Sequence, residues 1–169
     1  LKIGLIQAKI NNQIEDNLNK TAKYIKKAAE KGANIICLQE LFAVPYIGQR
    51  EDKKLFELAE TIPGKITNFL SKAAKDNKIT LIGGSLFEKE EGNKYYNASL
   101  IFNPKGEIIA KYRKIHIPYD PNYYEQYYFS SGNLGYAQAD LGSIKIAPLI
   151  CYDLWYPEAA RINALKGAE

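Results

Sequence analysis

The sequence predicts an α/β fold, and three observations carry that prediction. A helical stripe near the start is flanked on both sides by short apolar runs. A second helical stripe leads directly into another apolar run. The apolar runs that follow are separated by turn residues with no helical pattern between them. The first pattern implies parallel strands joined by a crossover and the last implies antiparallel hairpins, so a mixed sheet is expected.

The elements follow in order. Residues 2–8 read as a buried strand. Asn17 is placed to cap a helix whose apolar stripe is Leu18, Ala22, Ile25 and Ala29, ended by Gly32. The run 34–38 reads as a second buried strand. A second helix follows Pro63-Gly64, with Ile66, Phe69, Leu70, Ala73 and Asn77 on one face. A strand over 79–87, a turn over 90–93 and a returning strand over 95–102 come next. Asn103-Pro104-Lys105-Gly106 is a strong turn, and a strand over 108–117 follows. From Pro118 to Gly135 the pattern dissolves, which predicts a long loop, and loops of this length are usually functional or disordered. Leu141-Gly142-Ser143 turns the chain into a strand over 144–150. Pro148 cannot donate to a central ladder, so a local adjustment is implied there. Pro157 suits the first turn of a last helix and Gly167 its end.

Bulk properties narrow the classes of function. With 46% hydrophobic residues among 169, one sizeable core is available. The net charge is only +4 and the lysines are scattered, so no nucleic-acid partner is expected. No apolar run approaches membrane length, and the start is too short and too polar for a signal peptide. The two cysteines, Cys37 and Cys151, have neither metal-ligand spacing nor a disulfide framework. A reducing, cytoplasmic setting is therefore expected, with no metal and no cofactor. The 13 tyrosines concentrate between Tyr95 and Tyr156, which suggests one aromatic-lined surface or pocket.

Three residues stand where chemistry is affordable in such a fold. Cys151 follows an apolar run and precedes the last helix, at a strand-to-helix junction where α/β proteins place ligands. Its bland reading is a buried structural thiol, as expected of Cys37. Glu40 also ends an apolar run, and a carboxylate so flanked is costly unless it is paired or used as a base. Its bland reading is a cap on a following helix. Lys114 lies in a strand, where it shares a face with His116. It reads either as a solvated edge lysine or as a cation that meets an oxyanion. His116 is the only histidine, so a Cys–His mechanism within these residues would have to use it.

Together the segments Leu38-Gln39-Glu40-Leu41-Phe42, Tyr112-Arg113-Lys114-Ile115-His116-Ile117-Pro118 and Ile150-Cys151-Tyr152-Asp153 resemble the nitrilase superfamily. Their order is the family's order, and the resemblance extends over nearly the whole chain. It implies the N-terminal part of a four-layer αββα sandwich, with residues 1–169 as one domain that stops short of the family's full length. It implies Glu40 as base, Lys114 as stabiliser of a tetrahedral intermediate and Cys151 as the nucleophile of an acyl-enzyme. Glu125 inherits the place of a second glutamate near that group. The backbone N–H of Tyr152 is implied as the second oxyanion donor. Asp120 is a candidate partner for a cationic substrate amine, and His116 a further residue of the substrate side. Glu158 and Arg161 are expected to pair along the last helix. The implied partner is a small ureido or amide substrate, with a homo-oligomer for the full-length protein. A non-catalytic α/β unit that binds a metabolite or a partner chain is the reading from another class.

Overall fold

A computed structural model describes residues 1–169. Strand β1 (Ile3–Ile6), helix α1 (Ile14–Glu30) and strand β2 (Ile35–Leu38) form the expected unit, with β1 and β2 parallel. Helix α2 (Lys65–Asn77) leads into β3 (Thr80–Ile82), parallel to β2. Strands β4 (Leu86–Glu90), β5 (Lys94–Phe102) and β6 (Ile108–Arg113) complete a six-stranded sheet through antiparallel pairing. β3 pairs with the end of β5 and β4 with its beginning, while β6 runs along residues 98–102 on the opposite edge. Thus β3 and β4 are one strand line broken in the middle.

The break falls at Gly83-Gly84, inside the single strand expected over 79–87. Gly84 has φ +60, and a Cβ there would collide with the Gln39 carbonyl oxygen. The chain bends so that the turn after β2 can lie against it. Such close backbone approach is open only to glycine.

One face of the sheet carries the helices. Ile36, Leu38, Leu81, Leu100 and Phe102 project into a core that α1 supplies with Leu18 and Ile25, and α2 with Ile66 and Leu70. Each such side chain, fully buried, stabilises the fold by about 1.5–3 kcal/mol. The apolar stripes read from the sequence are these faces.

Several expectations are corrected. α1 begins three residues before Asn17, which is fully buried and not the N-cap. Its amide donates to the carbonyls of Asn11 and Ala43 and accepts from the Asn11 N–H, so it ties the entry of α1 to the segment after β2. The helix α2 lacks a cap from Gly64. Glu60 instead accepts from the N–H groups of Ile66 and Thr67, a carboxylate at the positive end of the helix. β1 is not buried: Ile3 and Leu5 are exposed, because β1 is the sheet's edge strand and only its other face meets α1. The strand expected over 108–117 stops at Arg113.

The long loop is more ordered than expected. It holds a small hairpin, β7 (Tyr119–Asp120) with β8 (Tyr123–Tyr124), and a 3-10 turn over Glu125–Tyr127. Tyr128 and Phe129 then pack with Leu41, Val44, Ile47 and Phe87 in a second core cluster. Part of the tyrosine-rich stretch therefore builds core, with Tyr96, Tyr112 and Tyr128 buried, while Tyr119 and Tyr123 stay exposed. Strand β9 (Ala139–Asp140) pairs with β10 (Lys145–Ile146), and the ladder ends two residues before Pro148, in keeping with its missing donor. Helix α3 (Pro157–Leu165) starts on its proline, and Gly167 follows it at φ +93. Glu158 and Arg161 form no ion pair.

Candidate active site

Topology brings two of the singled-out residues to one edge. β2 ends at Leu38, just before Glu40. β6 runs antiparallel to β5, which runs antiparallel to β3, so β6 points the same way as β2 and ends just before Lys114. The Lys114 ammonium is completely buried there. It donates to Glu40 Oε1 at 3.2 Å and to Glu125 Oε2 at 2.7 Å. An ammonium has three donors, so one remains uncommitted.

Glu125 is not the surface carboxylate that its place in a loop suggests. It is fully buried, and Tyr46 donates to its Oε1 at 2.8 Å. Burial raises its pKa above the usual carboxylate range, with Glu40 adding to that shift and Lys114 opposing it. Burial alone would lower the pKa of Lys114, but the charges of Glu40 and Glu125 outweigh it and the net shift is upward. Lys114 thus stays charged in a place where an unpaired cation could not.

Cys151 meets this group from another segment. Residues Ala147–Ile150 cross the sheet face opposite the helices. Between them and the sheet lies a cavity of about 340 Å³, bounded among others by Cys37, Glu40, Ser85, Ser99 and Cys151. Cys151 opens a 3-10 turn over Cys151–Trp155 and has φ +48, a left-handed conformation costly for a residue with a side chain. Leu41, directly after Glu40, has φ +47, and Ser85 Oγ accepts its N–H at 3.0 Å. Strain of this kind, of order 1–3 kcal/mol per residue, gathers where a side chain must be aimed. The Cys151 thiol is pushed up to about 11, by desolvation first and then by the negative charge of Glu40. Lys114 pulls the other way, and Glu40 and Cys151 border the same cavity. The resting nucleophile candidate is therefore a protonated thiol with a base beside it.

The turn itself is held by Asp153, a fully buried carboxylate. It accepts from the Ile150 and His116 N–H groups at 3.1 and 3.0 Å and from the Tyr112 hydroxyl at 2.8 Å. His116 Nδ1 is 2.8 Å from Asp153 Oδ1, and its ring stacks on Tyr156 with centroids 3.8 Å apart. His116 thus faces Asp153 and Tyr156 and borders neither cavity at Cys151, contrary to the substrate-side expectation. The reason is that the chain leaves the ladder at Arg113, so Lys114 and His116 no longer share a strand face.

A second cavity, of about 500 Å³, opens on the other side of Cys151. Pro118, Asp120, Tyr123, Tyr152 and Trp155 border it. Asp120 is exposed at its rim, and the Tyr152 N–H follows the thiol at the start of the 3-10 turn. No group of three or more His, Cys, Asp or Glu residues is gathered for a metal ion.

Two residues of the group escaped the sequence reading. Asn97 donates to Glu40 Oε1 at 2.7 Å, and Tyr46 holds Glu125. A lone amide in the apolar run 95–102 was a usable signal for Asn97. Tyr46 gave none, since its role depends on a partner 79 residues away.

Known proteins resemble this chain over nearly its whole length. The carbon–nitrogen hydrolase family matches residues 2–169. A citrullinase of Francisella tularensis is 38% identical over 100% of this chain and 59% of its own. An omega-amidase of Xenopus laevis is 39% identical over 99% and 60%. An N-carbamoylputrescine amidase of Solanum lycopersicum is 36% identical over 99% and 55%. The crystal structure of a carbon–nitrogen hydrolase from Helicobacter pylori superposes with a TM-score of 0.93 at 38% identity, covering 98% of this chain and 57% of that one. The chain therefore spans 55–60% of the length of these curated relatives, and its one sheet with one helical layer is an N-terminal part of the nitrilase-type sandwich. With its whole length matched, the chain belongs to the carbon–nitrogen hydrolase family of the nitrilase superfamily.

Proposed function

We propose that the protein carrying this chain hydrolyses a C–N bond of a small ureido or amide substrate, with Cys151 as nucleophile, Glu40 as base and Lys114 as oxyanion donor. The observation that carries this reading is the uncommitted third donor of a buried ammonium, paired with a carboxylate that borders the same cavity as Cys151.

The chemistry follows from that arrangement. Glu40 takes the thiol proton as sulfur attacks the carbonyl carbon. Negative charge builds on oxygen, where Lys114 and the Tyr152 N–H meet it. In a site shielded from water, one such donor is worth roughly 3 kcal/mol. Glu40 returns the proton to the departing nitrogen, and ammonia leaves. A carbamoyl thioester remains on Cys151. Water, deprotonated by Glu40, attacks it and the thiolate departs. The carbamic acid released breaks down to amine and carbon dioxide.

Within that class we favour N-carbamoylputrescine. Two of the relatives are named for substrates that join a ureido group to an amine, citrulline and N-carbamoylputrescine. Asp120 at the rim of the larger cavity supplies a negative partner for a distal ammonium. The omega-amidase relative favours the alternative, an amide substrate. The test is kcat/KM, for protein expressed from the whole coding sequence, on N-carbamoylputrescine and N-carbamoyl-β-alanine. Mass spectrometry of a trapped adduct accompanies it. A preference for the β-alanine derivative overturns the substrate and leaves the nucleophile standing. An adduct on Cys37 alone overturns the mechanism, and no turnover of any ureido or amide compound favours the non-catalytic reading.

A further inference from the structure

Asn97 lies in β5 opposite Phe87 of β4, and it is fully buried. Its side-chain amide donates to Glu40 Oε1 at 2.7 Å, and its backbone carbonyl accepts the Lys114 N–H at 2.9 Å. Its own Oδ1 is buried with no partner. We infer that Asn97 is a positioning residue that sets both proposed partners of Cys151, aiming Glu40 through its side chain and Lys114 through its backbone.

The orphaned oxygen is the informative feature. An ionised carboxylate only accepts, so the amide must turn its donor end toward Glu40. That choice leaves Oδ1 inside the protein without a donor, at the full desolvation cost of the group. A residue kept for packing alone would do better as an apolar side chain of similar size. The gain lies at Glu40. Asn97 and Lys114 both donate to Oε1, and neither donates to Oε2, the oxygen that the proposed mechanism needs free for a proton. The titratable groups around this carboxylate are Lys114, Glu125, Cys151 and Tyr46. Of these only Lys114 donates to Oε1, and it is shared with Glu125. Without Asn97 the carboxylate is free to rotate about Lys114 and away from sulfur.

This inference rests on the hydrolase reading for its catalytic meaning, but part of its test needs no substrate. Asn97→Leu keeps the branched shape and removes both the donor and the orphaned acceptor. Asn97→Ser keeps a polar group but shortens the side chain, so that its hydroxyl no longer reaches Glu40. In each, kcat should fall at least about tenfold while KM stays within about twofold, the signature of a lost transition-state arrangement. The alkylation rate of Cys151 against pH should move toward lower pH, as in Glu40→Gln, with labelling at a fixed mildly alkaline pH faster by at least about threefold. Asn97→Leu should melt no lower than wild type. An alkylation profile that stays in place in a folded variant overturns the inference, as does a rise in KM alone. Should both variants fail to fold, the side-chain amide protons of Asn97 in the wild-type spectrum decide. One should be shifted far downfield and move in Glu40→Gln, and no movement overturns the inference. A protein that turns nothing over but whose Cys151 profile still moves keeps the positioning role and sinks the hydrolase reading.

Discussion

The Tyr112 hydroxyl donates to Asp153 Oδ2 at 2.8 Å, and so ties the strand that ends beside Lys114 to the turn that carries Cys151. Both residues are fully buried. The same carboxylate takes the N–H groups of Ile150 and His116. Asp153→Ala would strand all of these donors inside the protein. The expected loss of stability is about 3–5 kcal/mol, read by chemical denaturation. Asp153→Asn keeps an acceptor and should lose less. Equal losses for the two variants would mean that the site tolerates unpaired donors and that Asp153 is not what holds the turn.

The same contacts decide what His116 does. Its ring is committed to Asp153 and Tyr156, so it orients the turn and is not placed as the base. His116→Ala should retain measurable turnover, whereas Glu40→Gln should lose nearly all of it. A reversal of those two losses would replace the proposed Glu–Lys–Cys mechanism with a Cys–His one.

Thiol labelling gives a signed test of the electrostatics. With its pKa near 11, Cys151 carries little thiolate at neutral pH, and the labelling rate rises as pH approaches that value. Glu40 raises this pKa and Lys114 lowers it. Glu40→Gln should therefore label faster with iodoacetamide at mildly alkaline pH, although its turnover collapses. Lys114→Met should label more slowly. Cys37, raised by burial, should label more slowly than Cys151 in all of them. If Glu40→Gln slows labelling, the carboxylate is not close enough to sulfur to serve as its base.

How far the sequence reaches can be argued from particular residues. Helical stripes and turn residues are local, so α1, α2, β2 and the β4–β5 hairpin were legible to within a few positions. The positions of Glu40 and Cys151 were legible because each interrupts or ends an apolar run. What failed was whatever depended on distant partners. Asn17 has the composition of a cap, but the Ala43 carbonyl, 26 residues on, gives it a better use inside the first turn. Glu60 caps α2 from six residues away through a bend that no periodicity reports. Glu125 was legible only through the family resemblance, because its turn-like neighbours give no sign that Tyr46 and Lys114 draw it inside. Asp153 was visible only as part of a motif, and its four contacts come from three residues in two segments.

Gly84 should be intolerant of any side chain. Its φ of +60 strains every L residue, and a Cβ would meet the Gln39 carbonyl directly before Glu40. Gly84→Ala should cost about 3 kcal/mol or more in stability, beyond the usual glycine-to-alanine range, because backbone and not a flexible side chain must move. It should also lower kcat in the fraction that folds, since the displaced segment bears Glu40. A variant with wild-type stability and rate would show that the β2 turn is free to shift.

The last prediction concerns charge at the cavity rim. Asp120 borders the larger cavity together with Tyr123 and Trp155, on the other side of Cys151 from the buried ion pairs. It is exposed, so its attraction for a distal ammonium is partly screened and is worth roughly 1 kcal/mol, not the several expected of a buried pair. Asp120→Asn should therefore lower kcat/KM for N-carbamoylputrescine about fivefold to tenfold, mostly through KM, since an interaction far from the reacting carbon is made equally in the ground and transition states. Raising the salt concentration should shrink the difference between wild type and variant. A neutral ureido compound of the same length should show no change, and N-carbamoyl-β-alanine should improve as its carboxylate is no longer repelled. If the variant loses the neutral and the cationic substrate alike, Asp120 shapes the loop without reading charge, and the preference for a distal amine must come from elsewhere in the protein.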